Sequence, residues 1–342
     1  MSEIRTFTLR EGFDLASDAC RAVGASESVA ASLAEATVSA EAHGQSSVGF
    51  RHLVDYLQSF RAGRIDGRAE PVVSFPAPAL VQVDARGGVA QLGFDRAFAE
   101  LCARAKTYGV ALFAQRNSYA TGELGYYVRR LAAAELLAFA VTNGPALMAP
   151  SGVAQAVYST NPLAFAAPGG AESSLALDQA SSATAFVNIR QAAERGAALP
   201  EGWAIDAAGQ PTVDPAEALR GTLLAFGGAR GANIALMVEV MAAGLTGANW
   251  SLDAPDFLSG DRSPEAGLLV IAVAPQWLDP AFGPRLREHL RRLAGLGVHI
   301  PGPAKAERAA RAASYGLSLP ASLVTRIEAF GPSKGPAPDR AD

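Results

Sequence analysis

The sequence predicts an α/β protein whose two helical ends pack together as one domain around a discontinuous α/β domain. Two observations lead there. Apolar residues recur at helical spacing towards both ends of the chain, and between about residues 75 and 275 short apolar strand-like runs alternate with helical patterns. The divisions fall at 1–75 and 277–330 for the helical parts, at 76–276 for the α/β domain, and at 331–342 for a polar, proline-rich tail expected to be disordered. Clefts between such domains are common ligand sites.

Each element has a local reason. Leu9–Val23 reads as a helix stopped by Gly24, and Ser26 is placed to cap a second helix that reaches about Ala42. Phe50, Leu53, Val54, Leu57 and Phe60 mark a third helix ended by Gly63. ALVQVDA is a strand and GGVAQLG a turn with a short continuation; Asp95–Tyr108 is helical, and VALFAQR is a strand. Glu123–Glu135 is helical, LLAFAVTN is a strand, and LALDQASSATAF begins as a strand and ends as a helix start. Leu236–Leu245 reads as a buried helix and LLVIAVAP as a strand; Pro284–Ala294 and Lys305–Tyr315 are the closing helices.

Composition removes several function classes. The 342 residues suit one large domain or two modest ones, and with 49% hydrophobic and 18% charged residues a core is easily buried. A net charge of −4 without a basic block argues against a nucleic-acid footprint. Cys20 and Cys102 sit in apolar helical patterns, so two buried thiols are expected rather than a disulfide framework. No apolar run approaches the ~18–20 residues of a membrane span, and MSEIRTFTLREGF lacks the apolar core of a signal peptide; a reducing cytoplasm is the expectation.

Common catalytic signatures are missing. The sequence has no G-x-G-x-x-G after a strand, no G-x-x-x-x-G-K-[ST] and no G-x-S-x-G elbow. His43, His52, His289 and His299 are scattered, without zinc spacing, and no metal is expected. What stands out is a set of segments rich in Gly, Asn, Ser and Pro: 116–127, 142–152, 158–168, 177–185, 200–215 and 226–240. Such loops present backbone N–H groups to a phosphate or a flat ring, although each alone also reads as an ordinary turn.

Taken together, STNPL, GWAID…PTVDP and GGxxG…LMVE in this order resemble the malate/L-lactate dehydrogenase family of NAD(P)H oxidoreductases over about residues 10–315. That family includes ureidoglycolate and sulfolactate dehydrogenases and reductases of cyclic imino acids. The resemblance implies a non-Rossmann NAD(P)-binding α/β domain with a helical domain from both chain ends, a homodimer, and a small carboxylate substrate. It also implies that NAD(P)H binds across Ser159, Thr160, Asn161, Pro162 and Leu163, and across Gly227, Gly228, Arg230 and Gly231. Arg230 stands at a family lysine, where a cation beside helix-start amides suits a pyrophosphate. Glu239 on the following helix is expected to be structural.

Two departures matter. The family's Ser-His-Gly motif, with an arginine three residues on, falls on SVGFRH: Ser47 and Gly49 match, Val48 stands for the catalytic histidine and His52 for the arginine. The family's Asn-Ser-x-His segment falls on Asn117-Ser118-Tyr119-Ala120, so Ala120 replaces a second histidine. Ser47, Val48, Asn117 and Thr121 become the substrate-binding expectations, and His52, Asp178 and Tyr119 the catalytic ones. Val48 and His52, four apart, would share a helix face towards the cleft. Asp178 would orient His52, or alternatively cap a helix, and Tyr119 would donate a proton, or alternatively pack. Hydride transfer to a protonated cyclic imine needs less acid help than transfer to a ketone. The reading therefore leans to a pyrroline- or piperideine-2-carboxylate reductase. The alternatives are a malate-, lactate- or sulfolactate-type 2-hydroxy acid dehydrogenase and a catalytically degenerate NAD(P)-binding protein.

Overall fold

A computed structural model describes residues 3–169 and 175–331, so the tail from 332 on lies outside the described residues. The chain opens with β1 (Ile4–Phe7), α1 (Leu9–Ala22), α2 (Glu27–Ala42) and α3 (Phe50–Arg61). Thr8 and Glu11 form a capping box on α1, and Ser26 caps α2 by accepting the Val29 N–H at 3.3 Å. There follow β2 (Val72–Ser74), β3 (Leu80–Asp84), α4 (Ala90–Tyr108), β4 (Val110–Ser118), α5 (Leu124–Ala133), β5 (Leu137–Thr142), β6 (Met148–Ala149), β7 (Leu163–Ala167) and β8 (Leu175–Gln179). Next are α6 (Phe186–Arg195), β9 (Ala204–Ile205), β10 (Pro211–Thr212), α7 (Pro215–Arg220), β11 (Thr222–Leu224) and α8 (Ala229–Glu239), which runs into a π-helical turn, Val240–Gly244. The chain then forms β12 (Ala266–Val273), α9 (Phe282–Gly295), α10 (Pro303–Tyr315), β13 (Leu317–Pro320) and α11 (Ala321–Glu328).

Seven strands make the main sheet in the order β2-β3-β4-β12-β5-β7-β8. Only β3 and β4 pair in parallel; the other five pairings are antiparallel. β12 is apolar throughout because it lies at the centre with layers on both faces: Leu268, Val270 and Ala272 join the core with Phe94, Phe113 and Tyr127, and Leu269 packs on the side of Val238. A smaller sheet, β10-β9-β11-β6, covers its own cluster with Ile189, Leu199 and Ala235. The two ends of the chain meet: β1 pairs antiparallel with β13, and Leu319, Leu323, Val324 and Ile327 share one buried cluster with Leu33, Phe50, Leu53 and Leu57. Among the described residues no helix is long and apolar enough to cross a membrane. Cys20 is buried and Cys102 half-buried, and both are free.

Three expectations change. α4 begins at Ala90, five residues before Asp95, because Gly93 serves packing rather than a turn: a Cβ there would overlap the Gln115 side chain on β4. Leu236–Leu245 is not a buried helix, since Leu236, Met237, Val240 and Leu245 are exposed and the last turn widens to π geometry. α9 extends to Gly295, and Leu290 is its one buried residue.

Candidate functional site

Asp178, the carboxyl expected from sequence, lies near the end of β8. Its Oδ2 accepts the N–H of Gly125 at 2.7 Å. Gly125 lies in the first turn of α5, whose N-cap residue, Glu123, gives no side-chain cap; its carboxylate instead takes two hydrogen bonds from Arg129, at 2.5 and 2.7 Å. Asp178 therefore caps α5 from another strand. Gly125 is what lets it approach: a Cβ would stand 3.2 Å from Asp178 Oδ2, 3.1 Å from Glu123 Oε1 and 2.8 Å from Arg129 Nη1. Burial pushes the Asp178 carboxyl up to about 6, against the pull of the Gly125 N–H; Glu123 raises it further, and Lys305 and Arg129 lower it. A carboxyl that titrates near neutrality beside two cations suits proton transfer.

The same charges reach His43, at the C-terminus of α2. Its Nδ1 lies 2.7 Å from the Ser39 carbonyl oxygen, and burial, with Arg129 close by, holds its basicity below the ordinary value. An open cavity of about 490 Å³ lies alongside, lined by His43, Arg129 and Gly302 among others; it touches this cluster through His43 and Arg129 and not through Asp178 itself. Sequence reasoning missed His43, Glu123, Arg129 and Lys305 as a group. They come from α2, the start and middle of α5, and α10, and no motif joins them.

The SVGFRH segment is arranged differently from the expectation. Glu41 on α2 holds it: Oε2 accepts the Phe50 N–H at 3.1 Å and Oε1 accepts the Ser46 hydroxyl at 2.6 Å. Gly49 fits because a Cβ would lie 2.5 Å from Glu41 Oε2. α3 starts only at Phe50, so Val48 sits in the preceding turn and shares no helix face with His52; Ser47 is exposed and Val48 half-buried. His52 Nδ1 lies 3.2 Å from Asp55 Oδ2, and the ring meets Tyr56 edge-on at 4.8 Å. Asp55, one turn along α3, orients His52, and Asp178 does not.

The loop after β4 is a packed strap. Tyr119 is fully buried; its hydroxyl meets Ser59 Oγ at 2.7 Å and donates to the Phe257 carbonyl at 2.9 Å, which leaves no proton for a substrate. Burial also raises its pKa. Ala120 and Thr121 are buried; their carbonyls accept from Tyr56, and from Gln91 and Tyr127, respectively. Asn117, at φ +59°, donates from Nδ2 to Asp84 at 3.0 Å, so its side chain belongs to the turn with Arg116 and Asp84.

The two expected cofactor segments are joined through Ser181. Its N–H donates to Thr160 O at 2.8 Å, its hydroxyl to Asn161 O at 2.7 Å, and its carbonyl accepts the Phe226 N–H at 3.0 Å. Within STNPL, Ser159 and Asn161 are buried, whereas Thr160, Pro162 and Leu163 keep partial exposure. Asn161 Nδ2 donates to Glu239 Oε2 at 2.7 Å, and Ser251 donates to the same carboxylate through N–H at 2.6 Å and hydroxyl at 2.7 Å. Ser159 and Asn161 thus build the wall rather than face a ligand, and Glu239 is its buried anchor. Asn161 Oδ1 has no partner among the described residues.

The glycine segment does face outward. Gly227 and Gly228 adopt φ of +56° and +62° with open space where a Cβ would stand, and Gly231 is packed so tightly that a Cβ would collide with the Phe226 carbonyl. Gly227 and Gly228 border a cavity of about 470 Å³ together with Ser151, Gly152, Ala183 and Leu224. Arg230, in the first turn of α8, is exposed and makes no ion pair among the described residues. Bare amides at a helix start, flanking glycines and a free guanidinium fit a pyrophosphate.

Comparison with known proteins identifies the family. A family model described as malate/L-lactate dehydrogenase matches residues 8–328. The (2R)-3-sulfolactate dehydrogenase (NADP(+)) of Chromohalobacter salexigens is 36% identical over 338 residues, covering 96% of this chain and 99% of that one. The Delta(1)-pyrroline-2-carboxylate/Delta(1)-piperideine-2-carboxylate reductase of Pseudomonas putida is 37% identical over 284 residues, 82% of this chain and 83% of the relative. The crystal structure of delta1-piperideine-2-carboxylate reductase from Pseudomonas syringae pvar. tomato superposes with a TM-score of 0.91 at 34% identity, covering 96% of this chain and 100% of that one.

Proposed function

This chain belongs to the malate/L-lactate dehydrogenase family, and we propose that within it the protein reduces small cyclic 2-imino acids of the pyrroline- or piperideine-2-carboxylate type. It is an NAD(P)-dependent oxidoreductase; the reduced nicotinamide supplies the hydride when bound. One observation supports the imine over the ketone. Val48 and Ala120 fill both family histidine positions, and the group left with a proton near neutrality is Asp178, its carboxyl raised to about 6.

The chemistry balances with that single acid. Protonated Asp178 hands its proton to the ring nitrogen, a hydride is added at the carbon alpha to the carboxylate, and the product is the cyclic amino acid. Asp178 is left as a carboxylate facing Lys305 and Arg129 and is reprotonated from solvent. His52, held by Asp55, is the residue proposed to take the substrate carboxylate. Arg230 and the start of α8 hold the cofactor's phosphates.

The sheet, with one parallel pairing among six, supports the non-Rossmann reading, and the shared cluster of the first and last helices supports a helical domain made by both ends. A homodimer in a reducing cytoplasm is part of the same proposal. A panel of NADH and NADPH oxidation against pyrroline-2-carboxylate, piperideine-2-carboxylate, pyruvate, oxaloacetate and sulfopyruvate tests the function. The highest kcat/KM belongs to one of the imines. A preference for sulfopyruvate would favour the second reading, a 2-hydroxy acid dehydrogenase, which the sulfolactate relative supports across 96% of this chain. Cofactor binding without any turnover would identify a degenerate binder.

A further inference from the structure

We infer that Glu123 is a positioning residue of the reaction: its two-point grip on the Arg129 guanidinium keeps that cation off Asp178 and so leaves the proton on the Asp178 carboxyl. The inference rests on Asp178 being the acid of the reading above and names the group that keeps it in its acid form. Glu123 is buried, at 5% exposure, and its oxygens take Arg129 Nη1 at 2.5 Å and Nη2 at 2.7 Å. Arg129 Nη2 also donates to Ser39 Oγ at 3.3 Å. Arg129 lies six residues beyond Glu123, yet its side chain runs back to the start of α5. The N-terminus of a helix repels a cation, so a full carboxylate is what holds the guanidinium there.

Asp178 stands just beyond this pair. A Cβ on Gly125 would lie 2.8 Å from Arg129 Nη1, 3.1 Å from Glu123 Oε1 and 3.2 Å from Asp178 Oδ2, so all three groups border one methyl-sized space. Asp178 nevertheless forms no ion pair among the described residues; the guanidinium edge nearest to it is occupied by Glu123. Few other groups face it. Lys305, in the first turn of α10, is a half-buried cation in no ion pair among the described residues. His43, from α2, has its basicity lowered by burial and by Arg129 and is neutral at pH 7. β7 sets Ala164 opposite Asp178 and adds no charge. The paired charges of Glu123 and Arg129, at nearly equal distances, largely cancel at the carboxyl, and burial then decides: Asp178 holds its proton up to about pH 6. Without Glu123, Arg129 becomes an uncompensated cation beside a buried carboxyl, which favours the carboxylate.

Two titrations of the whole protein test the assignment: kcat/KM on piperideine-2-carboxylate against pH, and the infrared band of the Asp178 carboxylic acid. The band is assigned by its loss in Asp178→Asn and needs no substrate. In Glu123→Gln both titrations move to lower pH by at least about one unit, so kcat/KM at pH 7 falls by about tenfold or more. Adding Arg129→Gln to Glu123→Gln removes the cation as well, and both titrations return towards the wild-type pH. A pair that only braces the fold would lower activity without moving either titration. Unmoved titrations in Glu123→Gln therefore overturn the inference, and so does a double variant that titrates as low as the single one. Circular dichroism checks folding. If Glu123→Gln fails to fold where the double variant folds, Arg129 has found no partner in Asp178, and the inference is overturned. Failure of both to fold makes the pair a requirement of the fold and overturns it equally. An infrared band that shifts as expected, in a protein with no turnover on any imine, counts against imine reduction and leaves the role of Glu123 standing.

Discussion

Asp178 Oδ2 accepts the backbone N–H of Gly125 at 2.7 Å, joining the end of a strand to the first turn of a helix 53 residues earlier in sequence. One carboxyl is thereby a helix cap and the group with a pKa near 6 at the candidate site.

Asp178→Asn should keep the cap, since an amide oxygen also accepts the Gly125 N–H, and lose the proton. Imine reduction falls by about 10²–10⁴-fold in kcat. In the wild type kcat/KM declines as pH rises above about 6, where the acid form is lost; the variant's profile is flat there. Stability moves the same way. The folded pKa lies above the ordinary 3.8, so between the two values the folded chain binds more protons than the unfolded one, and stability falls as pH rises through that window. Urea unfolding at several pH values should show this slope in the wild type and not in Asp178→Asn. A variant with wild-type kcat would remove Asp178 from the chemistry.

Gly125→Ala separates helix propensity from packing. In an open helix the change would stabilise by about 1 kcal/mol. Here the new methyl crowds Arg129, Glu123 and Asp178 at 2.8–3.2 Å, so destabilisation by about 1–3 kcal/mol is expected, with a fall in kcat as Asp178 is displaced. Thermal unfolding gives the sign directly.

Arg230→Ala should weaken NADPH binding by about 1.5–3 kcal/mol and leave the melting temperature of the cofactor-free protein unchanged, because the guanidinium makes no ion pair among the described residues. Fluorescence titration measures the loss. An unchanged dissociation constant would take Arg230 out of the site.

Tyr119→Phe and His52→Gln should behave in opposite ways. The tyrosine change leaves the Phe257 carbonyl and Ser59 hydroxyl without their buried partner and costs about 1–3 kcal/mol of stability, with kcat retained. The histidine change raises KM with kcat nearly constant if His52 binds the substrate carboxylate, and lowers kcat if it donates a proton. Steady-state kinetics beside urea melts distinguish the two residues.

Local rules made parts of this molecule legible. Ser26 marks a helix start by side-chain chemistry within three residues, and the apolar run of β12 is long enough to read as a strand. The glycines at 227 and 228 could be read as an open loop at a helix start. Other parts rest on non-local contacts. β6, β9 and β10 are two residues each, too short for any period. Asp178 meets Gly125, and Lys305 meets His43's field, only because distant elements converge. α8 misled for a physical reason: an apolar helix read in isolation looks the same whether its outer face meets its own core or another surface.

The pairing of Ile4–Phe7 with Leu317–Pro320 places nearly the whole length of the chain between two adjacent strands. During synthesis α1, α2 and α3 emerge well before Leu319, Leu323, Val324 and Ile327, which complete their cluster. The early helices leave the ribosome with part of an apolar side uncovered and keep it so while the intervening α/β region is added. The small two-stranded ribbon is therefore a late-closing clasp, and the period of exposure lengthens with every residue inserted between its two strands.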